Sequence, residues 1–267
     1  MTEAAAKGRD MRLELLTWPK VRDYLARSKA IVVPMGSTEQ HGPEGLIGTD
    51  HLCPQAIARR MGAAHGAMVA PTIQVGMSQF HLDFPGSLSL RPSTLMAVVR
   101  DHIASLARTG FERVYFLNGH GGNVAPTRAA IQEYYAELSM AGRDADARVR
   151  CKLKSWWELP RVDARRKALY GAGEGFHGTP SELAITMAAH PEAIAEFALP
   201  PPASHGRDDL LEHAGDNYYE AADFRRRFPD GRVISDSAQA TRAAGEALLA
   251  LAVEDLAEDF ARFAMSA

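Results

Sequence analysis

Short apolar runs alternate with amphipathic stretches along the chain, an order that predicts an α/β fold: a mostly parallel sheet with helices on its faces. Two further observations support it. The 267 residues are 46% apolar and 24% charged, close to the globular average, which excludes wholesale disorder, collagen-like repeats and low-complexity arrays. No internal repeat or linker divides the chain, so residues 1–267 are read as one domain, long enough to bury a sizeable core.

Taken in order, Trp18, Val21, Tyr24 and Leu25 share a helical face behind Thr17 as a candidate N-cap. Residues 30–35 are an apolar run closed by Gly36, the pattern of a buried strand. Residues 51–61 read as a helix and 67–75 as extended chain split by Pro71. Leu95, Val98, Val99, His102, Ile103 and Leu106 keep helical spacing between Pro92-Ser93 and Gly110. Residues 113–117 form a strand that runs into Asn118-Gly-His-Gly-Gly-Asn123 and a helix over 125–140. After a polar loop at 141–147, residues 149–157 are extended and 179–189 helical. Pro200, Pro201 and Pro202 open a charged, irregular surface excursion over 199–236, with a turn at Pro229-Asp230-Gly231. Ala244, Leu248, Leu251, Ala252, Leu256 and Phe260 line one side of a long closing helix over 237–263.

Charge and cysteine content narrow the function classes. Thirty basic against 33 acidic side chains give a net charge of −3, without the basic footprint of a nucleic-acid binder. Cys53 and Cys151 are too few for a disulfide framework and suit a reducing compartment, so a cytoplasmic location is expected. Residues 1–12 carry Lys7, Arg9 and Arg12 but lead into no apolar stretch, and no run approaches 18 charge-free apolar residues; neither secretion nor a membrane partner is expected.

Three polar clusters lie where strands end, the place where open α/β sheets bind ligands. The first, residues 36–50, packs Glu39, His41, Glu44 and Asp50 into a loop shaped by Gly and Pro. The second sets His120 among three glycines, and the third runs from Glu174 through His177 to Glu182. Imidazole nitrogen mixed with carboxylate oxygen suits zinc, manganese or iron. The inventory would serve two metals sharing a bridging carboxylate, with an acid/base residue to spare; such a pair, about 3.5–4 Å apart, activates water and polarises a carbonyl together.

Each residue also has a structural reading. Asp50 could be a helix N-cap, Glu39 and Glu44 solvated loop acids, and His120 a turn histidine. Glu182, three residues after Thr179 with Pro180 between, fits a capping box as well as it fits a metal ligand, and the two roles are compatible. His102 reads as a core histidine on an apolar face, His51 as a helix-start residue. His81, in a loop with Phe80 and Phe84, faces either substrate or structure.

Together the motifs resemble those of the creatininase family. The likeness is carried by Pro34 through Gly-Ser-Thr-Glu-Gln-His-Gly-Pro43 and Gly48-Thr-Asp50, by Phe84-Pro-Gly86, by Asn118 to Asn123, by the His177 to Glu182 spacing, and by Phe228-Pro-Asp-Gly-Arg232. The resemblance implies a three-layer α/β/α fold and a homo-oligomer, often a hexamer. It implies Glu39, His41, Asp50 and His120 as ligands of a divalent metal, with Asp50 bridging two ions, a metal-activated water as nucleophile, and His177 as the proton-transfer residue. Trp156 and Trp157 resemble the aromatic segment lining the family's pocket. Creatininase itself places a Tyr-Glu pair after the histidine of the second motif, the Glu being a ligand, where this chain has Gly121 and Gly122; Glu182 is the nominee to replace it. Glu44 also stands where the family pattern differs, which directs it to substrate recognition.

The sequence therefore predicts a metal-dependent hydrolase of a non-peptide carbon–nitrogen amide, a cyclic amide or a formamide, with a small-molecule substrate. Two other classes are weighed. A serine hydrolase would need a G-x-S-x-G elbow, which the chain lacks. A binding module would use residues 118–123 to cradle a phosphate or nucleotide, but no Walker or G-x-G-x-x-G pattern accompanies them.

Overall fold

Residues 30–35 and 113–118 send alternate side chains to opposite faces, and both sets are apolar, which commits these strands to the middle of a sheet covered on two sides. In a computed structural model that describes residues 10–143, 149–194 and 220–266, they are β1 (Ala30–Met35) and β3 (Arg113–Asn118). They pair in parallel from Ala30 opposite Arg113 to Met35 opposite Asn118. β2 (Met68–Val69) lies outside β1 and β4 (Arg150–Ser155) outside β3, so the order is β2-β1-β3-β4, all parallel.

Two cores follow from the alternation. On one face Val32, Tyr115 and Leu117 pack against α2 (Thr49–His65), α5 (Pro160–Tyr170), α6 (Pro180–Ala189) and α8 (Arg242–Met265). On the other, Ile31, Val33, Val114 and Phe116 pack against α1 (Trp18–Leu25), α3 (Pro92–Arg108) and α4 (Val124–Met140). The result is the three-layer α/β/α arrangement. No helix among the described residues is long and apolar enough to cross a membrane.

Several sequence expectations change. α2 begins at Thr49 behind Gly48, so Asp50 sits inside the first turn and is not the N-cap. The stretch over 67–75 contributes only two paired residues, and beyond Pro71, which has no N–H to give, contact with β1 is one bridge between Ile73 and Met35. The closing helix starts at Arg242, five residues later than the expected start at Ser237, because the Thr241 hydroxyl accepts from the Ala244 N–H and sets the cap there. Trp18, grouped with the packed face of α1, is largely exposed.

α5 goes unpredicted because its sequence is rich in charge and buries only Val162 and Tyr170. The excursion over 199–236 is corrected in its described part: α7 (Ala221–Arg227) and the turn after it bury Phe224, Phe228, Val233 and Arg232, and the apolar three pack with Phe84. Pro200, Pro201 and Pro202 lie outside the described residues, as does most of the polar loop at 141–147.

Candidate metal centre

β1 is the strand at which the sheet changes direction, with β2 on one side and β3 on the other, so a crevice opens beyond the ends of β1 and β3. Gly36 follows β1 and Gly119 follows β3, and a Cβ on either would fall 2.3 or 2.0 Å from the Asp50 carbonyl oxygen. Only glycine permits that approach, and it seats the first turn of α2 directly on the two strand ends. Asp50 is thereby brought between the loop carrying Glu39 and His41 and the loop carrying His120.

The carboxylate of Asp50 divides its oxygens. Oδ1 lies 3.0 Å from His41 Nε2, and Oδ2 lies 2.9 Å from His120 Nδ1. Glu39 Oε2 completes one side at 3.3 Å from His120 Nδ1, and Glu182 Oε2 stands on the other at 3.9 Å from His41 Nε2. Two groups of potential ligands therefore share one carboxylate: Glu39, Asp50 and His120, and His41, Asp50 and Glu182, each with ligand atoms within 4.8 Å of one another. A third group, Glu39, His81 and His177, meets the same distance limit.

The donor accounting favours a cation in the first two. His41 Nδ1 lies 3.0 Å from the Glu39 carbonyl oxygen and His120 Nε2 2.9 Å from that of Met77, so each ring spends its N–H on backbone. That is the usual second contact of a metal-bound histidine. The other nitrogen of each neutral ring then turns a lone pair toward carboxylate oxygens, an arrangement that repels unless positive charge lies between. Asp50 Oδ2 is buried and accepts no hydrogen bond despite its near neighbour. These residues fit a divalent metal.

Electrostatics point the same way. Burial opposes charge on His41, but the Asp50 and Glu182 carboxylates outweigh it and lift the imidazole to about 10. Burial likewise opposes charge on His120, which Glu39 and Asp50 raise to about 9. Protons stand in for the positive charge that the carboxylates demand. Glu39 is buried, which alone would raise it, yet the His120 and His81 rings hold it well below the ordinary carboxylate range. Glu182 is pushed up by burial to about 7.

His177 behaves differently. Burial and the neighbouring His81 and His41 rings hold it well below the usual imidazole value, so it is neutral. Its Nε2 lies 2.6 Å from the Gln40 carbonyl oxygen, too close for anything but a donated hydrogen bond, which leaves a lone pair on Nδ1, 3.8 Å from Glu39 Oε1. For Glu182 the capping reading is borne out, with one carboxylate oxygen left over. Its Oε1 accepts from the Thr179 N–H at 2.6 Å while the Thr179 hydroxyl accepts from the Glu182 N–H, a complete capping box, and Oε2 remains for the His41 side.

A cavity of about 400 Å³ opens on this cluster. Glu39, Asp50, His120, His177 and Glu182 form its polar floor, and Trp156, Trp157, Phe80, Phe176 and Phe224 supply aromatic wall. Trp156 is almost wholly buried in the turn after β4, and its indole N–H has no acceptor among the described residues. His81 lines the cavity, but its two ring nitrogens face Gln40 and Glu39 and leave nothing for a substrate. Glu44, expected at the substrate, is not among the residues that line it. His41 is sealed beneath the floor at 1% exposure.

Sequence reasoning missed Ser78, Gln40 and the Arg166–Glu174–Ser181 set. The Ser78 hydroxyl donates to Glu39 Oε2 and meets Ser37. Glu174 Oε1 accepts from Ser181 Oγ and, at 3.1 Å, from Arg166 Nη1 in the cavity wall. Gln40 lies inside the first motif but carries no signal of its own there, because a neutral amide is neither a usual metal ligand nor a base.

Comparison with known proteins agrees with the geometry. The creatininase family, described as creatinine amidohydrolase, matches over residues 14–260. A creatinine amidohydrolase of Pseudomonas putida is 30% identical over 260 residues, covering 91% of this chain and 93% of its own. A mycofactocin precursor peptide peptidase of Mycobacterium ulcerans is 28% identical over 256 residues, covering 92% and 86%. Among solved structures, creatininase Mn superposes with a TM-score of 0.79 at 27% identity, covering 97% of this chain and all of that one.

The main departure has a steric basis. A Cβ at Gly122 would lie 2.4 Å from the Met77 carbonyl oxygen and 2.6 Å from His120 Nε2, so the carboxylate that the resemblance would place there has no room, whereas Gly121 faces open space. In sequence over nearly its whole length, and in the shared carboxylate at the ends of its central strands, this chain belongs to the creatininase family.

Proposed function

We propose that this protein is a metal-dependent hydrolase of a carbon–nitrogen amide bond, with Glu39, Asp50 and His120 holding one divalent ion and His41, Asp50 and Glu182 a second. The observation that carries the reading is the split carboxylate of Asp50, each oxygen facing a histidine lone pair that would otherwise have no positive partner. Zinc, manganese and iron all suit these donors; one related structure is creatininase Mn and another a mutant creatininase of Zn-Zn type. Cations held there would polarise the amide carbonyl and make water acidic enough to attack near neutral pH.

The chain's own groups do the rest. His177 accepts the proton released from the attacking water at Nδ1, because its Nε2–H is pinned to the Gln40 carbonyl, and returns it to the departing nitrogen. Glu182 Oε2 serves as ligand while Oε1 keeps the cap. Trp156 and Trp157 flank the substrate, and the unpaired Trp156 N–H offers a donor to its carbonyl side.

The substrate we propose first is a small cyclic amide or formamide, as the motifs imply. A second reading, a peptide amide, is favoured by the open space at Gly121 and by the peptide peptidase among the relatives. The deciding experiment is elemental analysis of the purified protein, followed by assay of lactams, cyclic ureas, formamides and short peptides before and after chelation. Activity lost in chelator and restored by zinc, manganese or iron is expected; full turnover in verified metal-free protein would refute the proposal.

A further inference from the structure

The Gln40 side chain makes four contacts, one within its own loop and three that reach other stretches of chain. The Gly42 N–H donates to its Oε1 at 2.8 Å, and its Nε2 lies 3.0 Å from the Gly231 carbonyl oxygen. These two partners, one a donor and one an acceptor, fix which side-chain atom is oxygen and which is nitrogen. Nε2 also lies 2.9 Å from His81 Nδ1 and 3.0 Å from His177 Nε2. Since His177 Nε2 carries the hydrogen given to the Gln40 carbonyl, it cannot accept another. The two hydrogens of the Gln40 amide therefore go to Gly231 and to His81 Nδ1.

The consequence falls on His81. With Nδ1 accepting, the neutral ring carries its hydrogen on Nε2, 3.1 Å from Glu39 Oε1. The approach is off the line of a full hydrogen bond, since Oε1 counts none, but it sets the positive end of an N–H against that oxygen. The ring is held from both sides, stacked on His177 at 4.3 Å and edge-on to Phe224 at 4.7 Å. Its Nε2 has no lone pair for a cation, so the Glu39, His81 and His177 group, adequate by distance, is unsuitable by tautomer.

The turn after α7 belongs to the same device. Gly231 has φ +87°, and a Cβ there would fall 1.8 Å from Gln40 Oε1. The turn is fixed by the Gly231 N–H donating to Phe228, by Arg232 with Asp230, and by Arg232 Nη1 donating to Ser237 Oγ at 3.0 Å. We propose that Gln40, aimed by the Phe228–Arg232 turn, is a positioning residue that keeps His81 an Nε2–H donor to Glu39. His81 thereby turns Glu39 Oε2 toward His120 and Asp50 and closes the third group to metal.

This inference rests on the metal reading above, and its test separates the two. In metal-stripped protein carrying 15N-labelled histidine, long-range proton–nitrogen spectra should show His81 protonated at Nε2; a His81 protonated at Nδ1 overturns the proposal, with no variant needed. Zinc affinity, measured by chelator competition, should fall about tenfold in Gln40→Met and in His81→Ala, the lower end of what second-contact losses cost. The double variant should fall no further, because one residue acts through the other. Losses that multiply to about a hundredfold, or a Gln40→Met protein as tight as the native one, overturn it. A native protein that binds neither zinc nor manganese ends both readings, whereas zinc bound with His81 Nε2 as ligand ends this one alone.

Discussion

The two halves of the cluster share Asp50 and are built to different tolerances. On the Glu39 and His120 side both candidate ligands other than Asp50 sit on backbone that follows a central strand, and the nitrogen–oxygen distances are 2.9 and 3.3 Å. On the His41 and Glu182 side one ligand arrives from a helix N-terminus, spends an oxygen on its own cap, and stands 3.9 Å from its histidine. Strand ends fix a ligand by sheet register, while a capped helix delivers one by packing. The first half should hold its ion more tightly than the second.

The largest effect that could break this picture comes from the shared group. Asp50→Asn keeps the shape but halves what the carboxylate offers to both sides, so both ions should be lost on dialysis. Turnover should fall by about 10³-fold or more, at the upper end of what removing a key electrostatic group costs. Retention of one full equivalent of metal would show that the halves are independent. Glu182→Gln is gentler and sharpens the contrast. Its amide oxygen can still accept from the Thr179 N–H, so the helix start survives, but the second half loses an anionic ligand. About a 10- to 100-fold weaker affinity for one ion, with the other unchanged in elemental analysis, is the expected result; equal weakening of both would erase the distinction.

Most of the candidate site was legible in the sequence because its candidate ligands sit within short motifs at the ends of apolar runs. Glu39, His41 and Asp50 lie within one loop and one helix turn, and His120 follows directly on β3, so residue type and strand position were enough to find them. What stayed hidden depends on three-dimensional partners. Whether Glu182 caps or ligates turns on its two oxygens having separate contacts, which no spacing can state. His81, in a loop with aromatic neighbours, is open to either substrate or structure in the sequence, and the contacts of its nitrogens with Gln40 and Glu39 favour structure. Phe224 was hidden in a charged stretch, and only its packing with Phe84, Phe228 and Val233 shows that this stretch belongs to the site wall. The β-α order was legible for a simpler reason: the alternation of Val32 against Val33, and of Leu117 against Phe116, is a period-2 pattern with two apolar faces.

The smallest predicted effect isolates the cap from the ligand. Thr179→Ala removes the hydroxyl that accepts from the Glu182 N–H but leaves the Thr179 backbone N–H that holds Glu182 Oε1. Loss of an N-cap hydroxyl costs about 1 kcal/mol, which for a chain of this length lowers Tm by roughly 2–4 °C. If packing against α2 and α8 already places α6, metal content should stay at the native level while calorimetry records the lower Tm. If the capping box is instead what aims Oε2, the second ion should leave with the hydroxyl, and the weaker half of the centre would owe its hold to one side-chain hydrogen bond rather than to the packed helix.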